Sequence, residues 1–157
     1  MDLILWRHAH AEALSPESLA STDDQRKLTG KGLKQAAKMA LWLDSVLPHN
    51  CKILVSPSQR TLQTALALGR KYKVAAEVGT DATIEQLLSA CNWPHSREAV
   101  LIIGHQPQLG AVVSKLIPEI SHCAIRKGNV WWISQKEDID NPSTFLRAIM
   151  SPELVVK

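Results

Sequence analysis

Four side chains, Arg7, His8, Arg60 and His105, are of the types that handle a phosphoryl group, and each comes just after a short apolar run. Guanidinium forks bind phosphate oxygens two at a time and stay charged at every relevant pH. A neutral imidazole can attack phosphorus, and a phosphohistidine formed that way divides a difficult displacement by water into two easier steps. A second imidazole, standing where the N–H groups of a helix begin, can donate to a non-bridging oxygen as charge develops there. This scheme needs no metal and no cofactor, because cationic side chains supply the electrostatics that magnesium supplies in many phosphoryl-transfer enzymes. The chain also lacks a Gly-rich P-loop and the carboxylate clusters that hold magnesium. An Arg-His pair alone is more often a surface ion-pair partner than a nucleophile. The weight therefore rests on what brings the four together.

Asp2 to Trp6, Cys51 to Val55 and Ala99 to Ile103 are short, nearly continuous apolar runs, the pattern of strands buried on both faces in a parallel sheet. Each is expected to feed a loop and then a helix. From Thr29 the residues Leu33, Ala36, Ala37, Ala40, Leu41, Leu43, Val46 and Leu47 recur at helical spacing up to Pro48, with Lys34 and Lys38 on the other face. Ser56-Pro57 reads as a cap followed by proline at the first helical position, which places Arg60 in a first turn. Gly104-His105-Gln106-Pro107 opens a further helix toward Ile117. Val74 to Val78 reads as a short strand, Ile84 to Ala90 as a short helix, and Val130 to Ser134 with Thr144 to Met150 as a closing pair of strands. Trp131 and Trp132 then point to opposite faces, so one of them packs in the core. Residues 9 to 28, rich in Ser, Thr and Asp, read as a surface loop with a helical turn. The expected fold is a three-layer α/β/α sandwich with a mostly parallel central sheet, one domain over residues 1–157. In such sheets the C-terminal ends of the strands open on one edge, where ligands bind, so the two arginines and two histidines converge there.

Composition narrows the function classes. The 157 residues are 45% apolar and 21% charged, with a net charge of +3 spread along the chain rather than gathered in a basic stripe. Nucleic-acid binding is not expected. No apolar run approaches the roughly 18 residues that span a bilayer, and the N-terminus lacks the charge pattern of a signal peptide, so a cytoplasmic protein without membrane association is expected. Cys51, Cys91 and Cys123 contain no C-x-x-C pair and read as free structural thiols.

Leu5-Trp6-Arg7-His8-Ala9, Leu54-Val55-Ser56-Pro57-Ser58-Gln59-Arg60-Thr61 and Ile103-Gly104-His105-Gln106-Pro107 resemble the three signatures of the histidine phosphatase (phosphoglycerate-mutase-like) superfamily. Asp24-x-Arg26-x-Leu28-Thr29-x-x-Gly32 is similar to the small SixA-type phosphohistidine phosphatases. Larger members insert a long cap between the second and last signatures, whereas forty-four residues lie between Arg60 and His105 here. Ala9 stands where glycine is commonest, and a small residue is kept.

The resemblance implies a phosphoglycerate-mutase-like fold with minimal cap and a phosphate pocket of Arg7, His8, Arg60 and His105, His8 being the nucleophile. Arg26 becomes a further phosphate or substrate contact, and the backbone of Gln106 another. In larger members a carboxylate protonates the leaving oxygen, and Glu85 is the nearest candidate acid. An alkoxide needs that proton, whereas a phosphorylated imidazole can leave as neutral imidazole when its other ring nitrogen is protonated. The expected activity is removal of phosphate from phosphohistidine in a protein domain. A short cap would leave the pocket shallow and open to a macromolecular surface. The alternatives are a small phosphate ester as substrate, or an inactive phosphate-binding regulatory module.

Overall fold

The computed structural model describes all residues except 15, 18, 19, 21, 137–139 and 157. Side-chain alternation along the strands decides the layering. In β1 (Asp2–Arg7), Leu3 and Leu5 pack into one apolar cluster and Ile4 and Trp6 into another, all four fully buried. β2 (Lys52–Val55), β3 (Lys73–Val74) and β4 (Val100–Gly104) join β1 in a sheet whose order is β3-β2-β4-β1, followed by β5 (Val130–Lys136) and β6 (Ser143–Met150). The first four strands are parallel, β5 pairs antiparallel with β1, and β6 pairs antiparallel with β5.

Helices cover both faces. Met39, Ala40 and Leu43 of α1 (Gly30–Val46) and Ala65 and Leu68 of α2 (Gln59–Leu68) pack on Ile4, Trp6, Val55 and Ile103. Leu87 of α3 (Ile84–Ala90) and Leu109, Val112 and Val113 of α4 (Gln108–Leu116) pack on Leu3, Leu5 and Ile102. The three-layer α/β/α architecture expected from the sequence is thus the observed one. Trp132 joins the α1 side of the core, while Trp131 and Trp93 pack half-buried on the other.

Several local expectations need correction. α2 begins at Gln59 with Ser58 as N-cap, not at Pro57 with Ser56, because the Ser58 hydroxyl takes the Thr61 N–H. The strand at Val74 is two residues long and turns into the 3-10 segment Ala76–Val78. Leu33, Leu41 and Val46 are on the solvent side of α1, since one helix on a sheet buries a single stripe. Gly32 lies where a Cβ would run into the His10 carbonyl oxygen, so α1 can approach the loop after β1 only with glycine there. No helix among the described residues is long and apolar enough to cross a membrane.

Candidate active site

Strand register brings the signature residues level. Arg7 pairs with Gly104 and Val55 with Ile103, so Arg7-His8, Ser56 and His105 leave the sheet at one edge. The His8 N–H donates to the Gly104 carbonyl (3.1 Å) and the Ser56 N–H to the Ile103 carbonyl (3.1 Å), which ties the three strand ends together. Thr64 fastens α2 to the same corner, its hydroxyl donating to the Arg60 carbonyl (2.7 Å) and accepting the Ala9 N–H (3.2 Å). On the other flank the Gly128 N–H reaches the His8 carbonyl at 3.0 Å, in a turn whose φ of 80° at Gly128 favours glycine. The result is a pair of imidazoles with ring centroids 5.4 Å apart and Arg60 against one of them.

The partners fix the tautomers. His8 Nδ1 is 2.8 Å from the Ala9 carbonyl, which can only accept, so Nδ1 carries the proton and Nε2 keeps a lone pair. His105 Nδ1 is 3.2 Å from an Arg60 guanidinium nitrogen, which can only donate. Its Nε2 therefore carries the proton and donates to the Ser56 hydroxyl at 2.7 Å. Burial, reinforced by His105, Arg60 and Arg7, pushes the His8 pKa down to about 3 against the raising effect of the Ala9 carbonyl. Burial and then Arg60 bring His105 down to about 4. Both rings are neutral at physiological pH.

Two donors await an acceptor. The Nε–H groups of Arg7 and Arg60 are buried without a hydrogen-bond partner, a deficit of about 1–3 kcal/mol each that an anion between them would remove. The remaining guanidinium contacts hold the two in place: Arg7 donates to the Ile125 carbonyl (2.8 Å), and Arg60 to the Asp23 carbonyl (2.7 Å) and carboxylate (2.8 Å). Asp23 also pairs with Arg26 at 2.9 Å, and the two arginines hold its carboxyl below the usual range despite the opposing effect of burial.

Of the candidates named from the sequence, Arg7, His8, Arg60 and His105 come together, and Arg26 joins them through Asp23. Glu85 does not. It is exposed on α3, in a cleft with Leu54, Lys73, Ala75 and Glu77 that includes none of the four. The Gln106 side chain accepts the Gly110 N–H (2.7 Å) and donates to the Cys123 carbonyl (3.1 Å), fastening the start of α4, which leaves its backbone, the group expected at the phosphate, uncommitted by these bonds. Of the helix N–H groups beside His105, that of Leu109 is taken by the His105 carbonyl and that of Gly110 by the Gln106 side chain. His8 and His105 themselves are nearly buried, 4% and 3% exposed. Burial keeps the cysteine thiols protonated, raising Cys51 and Cys91 to about 11.

Sequence reasoning missed Asp23 and the role of Ser56. Ser56 was legible only as a helix cap, and the motif before α1 singled out Asp24, which is exposed, rather than its neighbour. The signal for Asp23 was its place three residues before Arg26, a spacing that lets the two side chains meet.

Known proteins extend this picture. No curated protein matches the sequence. Among solved structures, the chain is similar to the protein histidine phosphatase SixA complexed with tungstate, at 26% identity and a TM-score of 0.76 over 97% of both chains. A SixA-assigned chain from Nakamurella multipartitia is 24% identical with a TM-score of 0.77, covering 96% of this chain and 95% of that one. A phosphoserine phosphatase variant from Entamoeba histolytica in complex with phosphoserine shares the fold, at 15% identity and a TM-score of 0.72 over 99% of both chains. Residues 3–87, which carry the first two signatures, match the family model described as the histidine phosphatase superfamily (branch 1), and the chain belongs to that family of phosphatases.

Proposed function

We propose that the protein removes phosphate from a phosphohistidine carried by another protein, through a covalent intermediate on His8, acting as one domain over residues 1–157. The carrying observation is the neutral His8 whose Nε2 lone pair stands beside His105, flanked by two arginines with buried, unpaired Nε–H groups. The phosphoryl group takes those donors. His8 Nε2 then forms a bond to phosphorus as the bond to the leaving imidazole nitrogen breaks, and the substrate ring, protonated at its other nitrogen, departs neutral. Water next attacks phosphorus, and inorganic phosphate leaves with His8 restored.

His105 supplies a donor only after a change of partner. When Arg60 turns its guanidinium toward the phosphoryl oxygens, His105 Nδ1 loses the cation that faced it and gains a nearby dianion. That raises its pKa, and the imidazolium donates through Nδ1 to phosphate while Nε2 keeps Ser56. The substrate class follows from the acid. Asp23, held ionised by Arg60 and Arg26, makes a poor proton donor, and Glu85 lies elsewhere. A leaving imidazole tolerates that; an alkoxide does not.

Rapid quench with a domain labelled at its phosphohistidine tests the scheme. Label should appear on the enzyme within the first turnover and be absent from His8→Ala, and recovery of label from that variant at wild-type level would end the assignment. A preference for phosphate esters over the domain by more than about tenfold in kcat/KM, roughly 1.4 kcal/mol, would transfer the chemistry to a small substrate.

A further inference from the structure

A cleft of about 880 Å³ runs from the pocket along α1, lined by Arg7, His10, Lys31, Lys34, Lys38, Arg126 and Lys127, with Glu153 the one carboxylate on its wall. None of these lysines, nor Arg126, is in an ion pair among the described residues. Lys31, Lys34 and Lys38 recur at helical spacing, so their ammonium groups share one face of α1 and span about 10 Å along it at 1.5 Å per residue. Lys127 faces them from the turn after Ile125, close enough that Arg7, Arg26 and Lys31 add to burial in disfavouring its charge. Gathering like charges without counterions is costly, and a cleft arranged this way is complementary to an anionic face.

We propose that this cleft docks an acidic surface of the protein that carries the phosphohistidine, so that Arg7 ends a cationic track leading the phosphorylated side chain to His8. The partner identity rests on the phosphohistidine reading above, while the docking itself does not. The dimensions favour a protein face over a duplex. Carboxylates at i, i+3 and i+7 of one partner helix repeat the spacing of Lys31, Lys34 and Lys38, whereas a nucleic acid gains affinity from a longer stripe of phosphate contacts than this cleft offers. The chain's modest charge of +3 agrees. The cleft also shares the task that a shallow pocket was expected to perform: the two histidines are nearly buried, and the surface beside them accepts the macromolecule.

Two variants test the track, Lys31→Glu/Lys34→Glu/Lys38→Glu and the milder Lys31→Gln/Lys34→Gln/Lys38→Gln, which stands in if the charge reversal fails to fold. These side chains lie outside the pocket, so kcat/KM on p-nitrophenyl phosphate should stay within about twofold of wild type. KM for the phosphorylated domain should rise at least tenfold, and the wild-type salt dependence of that KM should flatten. Independently of turnover, a synthetic helix with glutamates at i, i+3 and i+7 should bind wild type in a salt-sensitive way and bind the variants at least tenfold more weakly. Equal losses on both substrates, or peptide binding unchanged in the variants, would overturn the docking surface. A 20-base-pair duplex that outcompetes the acidic peptide and loses affinity in the variants would reassign the cleft to nucleic acid. If the peptide binds as expected but phosphohistidine is not turned over, the docking surface stands and the substrate reading falls.

Discussion

Arg7 belongs to two cationic regions built on opposite principles. In the pocket, His8, Arg60 and His105 are buried and each is tied to a partner: Arg60 to Asp23 and His105, His105 to Ser56, His8 to Ala9. Along α1 the cations stand on flexible stems, with no ion pair among the described residues and Glu153 the one carboxylate on the cleft wall. Once Arg60 has turned to the bound anion, buried charges held in this way need little reorganisation as charge develops in a transition state, so the pocket contributes to kcat. Solvated lysines attract a partner from a distance and are screened by salt, so the cleft contributes to encounter and KM. One anion-binding edge thus divides into a part that reacts and a part that recruits.

The sharpest way to break this division is Arg60→Ala. It removes a cation from the phosphoryl group and the donor from His105 Nδ1, so kcat should fall about 10²–10³-fold, as removal of one preorganised donor does elsewhere. The loss should be the same on p-nitrophenyl phosphate and on the phosphorylated domain, and insensitive to salt. Steady-state kinetics on both substrates decides it. A defect confined to the domain would mean that Arg60 recruits rather than reacts.

The division also predicts where stability responds to pH. His8 and His105 have folded pKa values near 3 and 4, below the unfolded value of about 6.5. Between those limits the unfolded chain binds more protons than the folded one, so stability is full above about pH 6.5 and is lost as the pH falls. Each histidine contributes up to about 1.4 kcal/mol per pH unit once the pH is well below 6.5. Urea unfolding at pH 7, 5.5 and 4.5 should show the decline, and His8→Gln should lessen it. Turnover, in contrast, should persist below pH 6 because the nucleophile stays neutral. A profile that collapsed above pH 6.5 would show that His8 titrates normally.

The same contrast explains what the sequence revealed. Arg7, His8 and His105 were legible because each follows an apolar run within two residues, and Arg60 because it opens the helix after one; a parallel sheet places all such positions at one edge. α3 was legible over Ile84 to Ala90, and the structure adds what starts it, a capping box between Thr83 and Gln86. Asp23 was not, since a loop residue is located by contacts distant in sequence, here with Arg60, thirty-seven positions away. The cleft was hidden for a related reason. Lys34 and Lys38 read as an ordinary solvated face, and only the fold sets Arg126 and Lys127 opposite them. Glu85 shows the converse error: a carboxylate of the right type at a reasonable place in the chain, carried to a different cleft by a short helix.

The smallest effect tests whether the pocket is committed down to its outer hydrogen bonds. Ser56 is 1% exposed, its hydroxyl accepts from His105 Nε2, and its carbonyl accepts from Thr61 Oγ1 at 2.7 Å. Ser56→Ala leaves that turn intact but strands a buried imidazole N–H, at a cost of about 1–3 kcal/mol in stability. His105 keeps its tautomer through Arg60 but loses the partner that anchors its Nε2–H, so the ring is free to turn away from the phosphoryl group. Activity should fall about tenfold in kcat with KM nearly unchanged, and Ser56→Thr should recover most of it because a hydroxyl returns. If Ser56→Ala lowered stability without touching kcat, His105 would be held by Arg60 alone, and the pocket would be less tightly determined than its hydrogen bonds indicate.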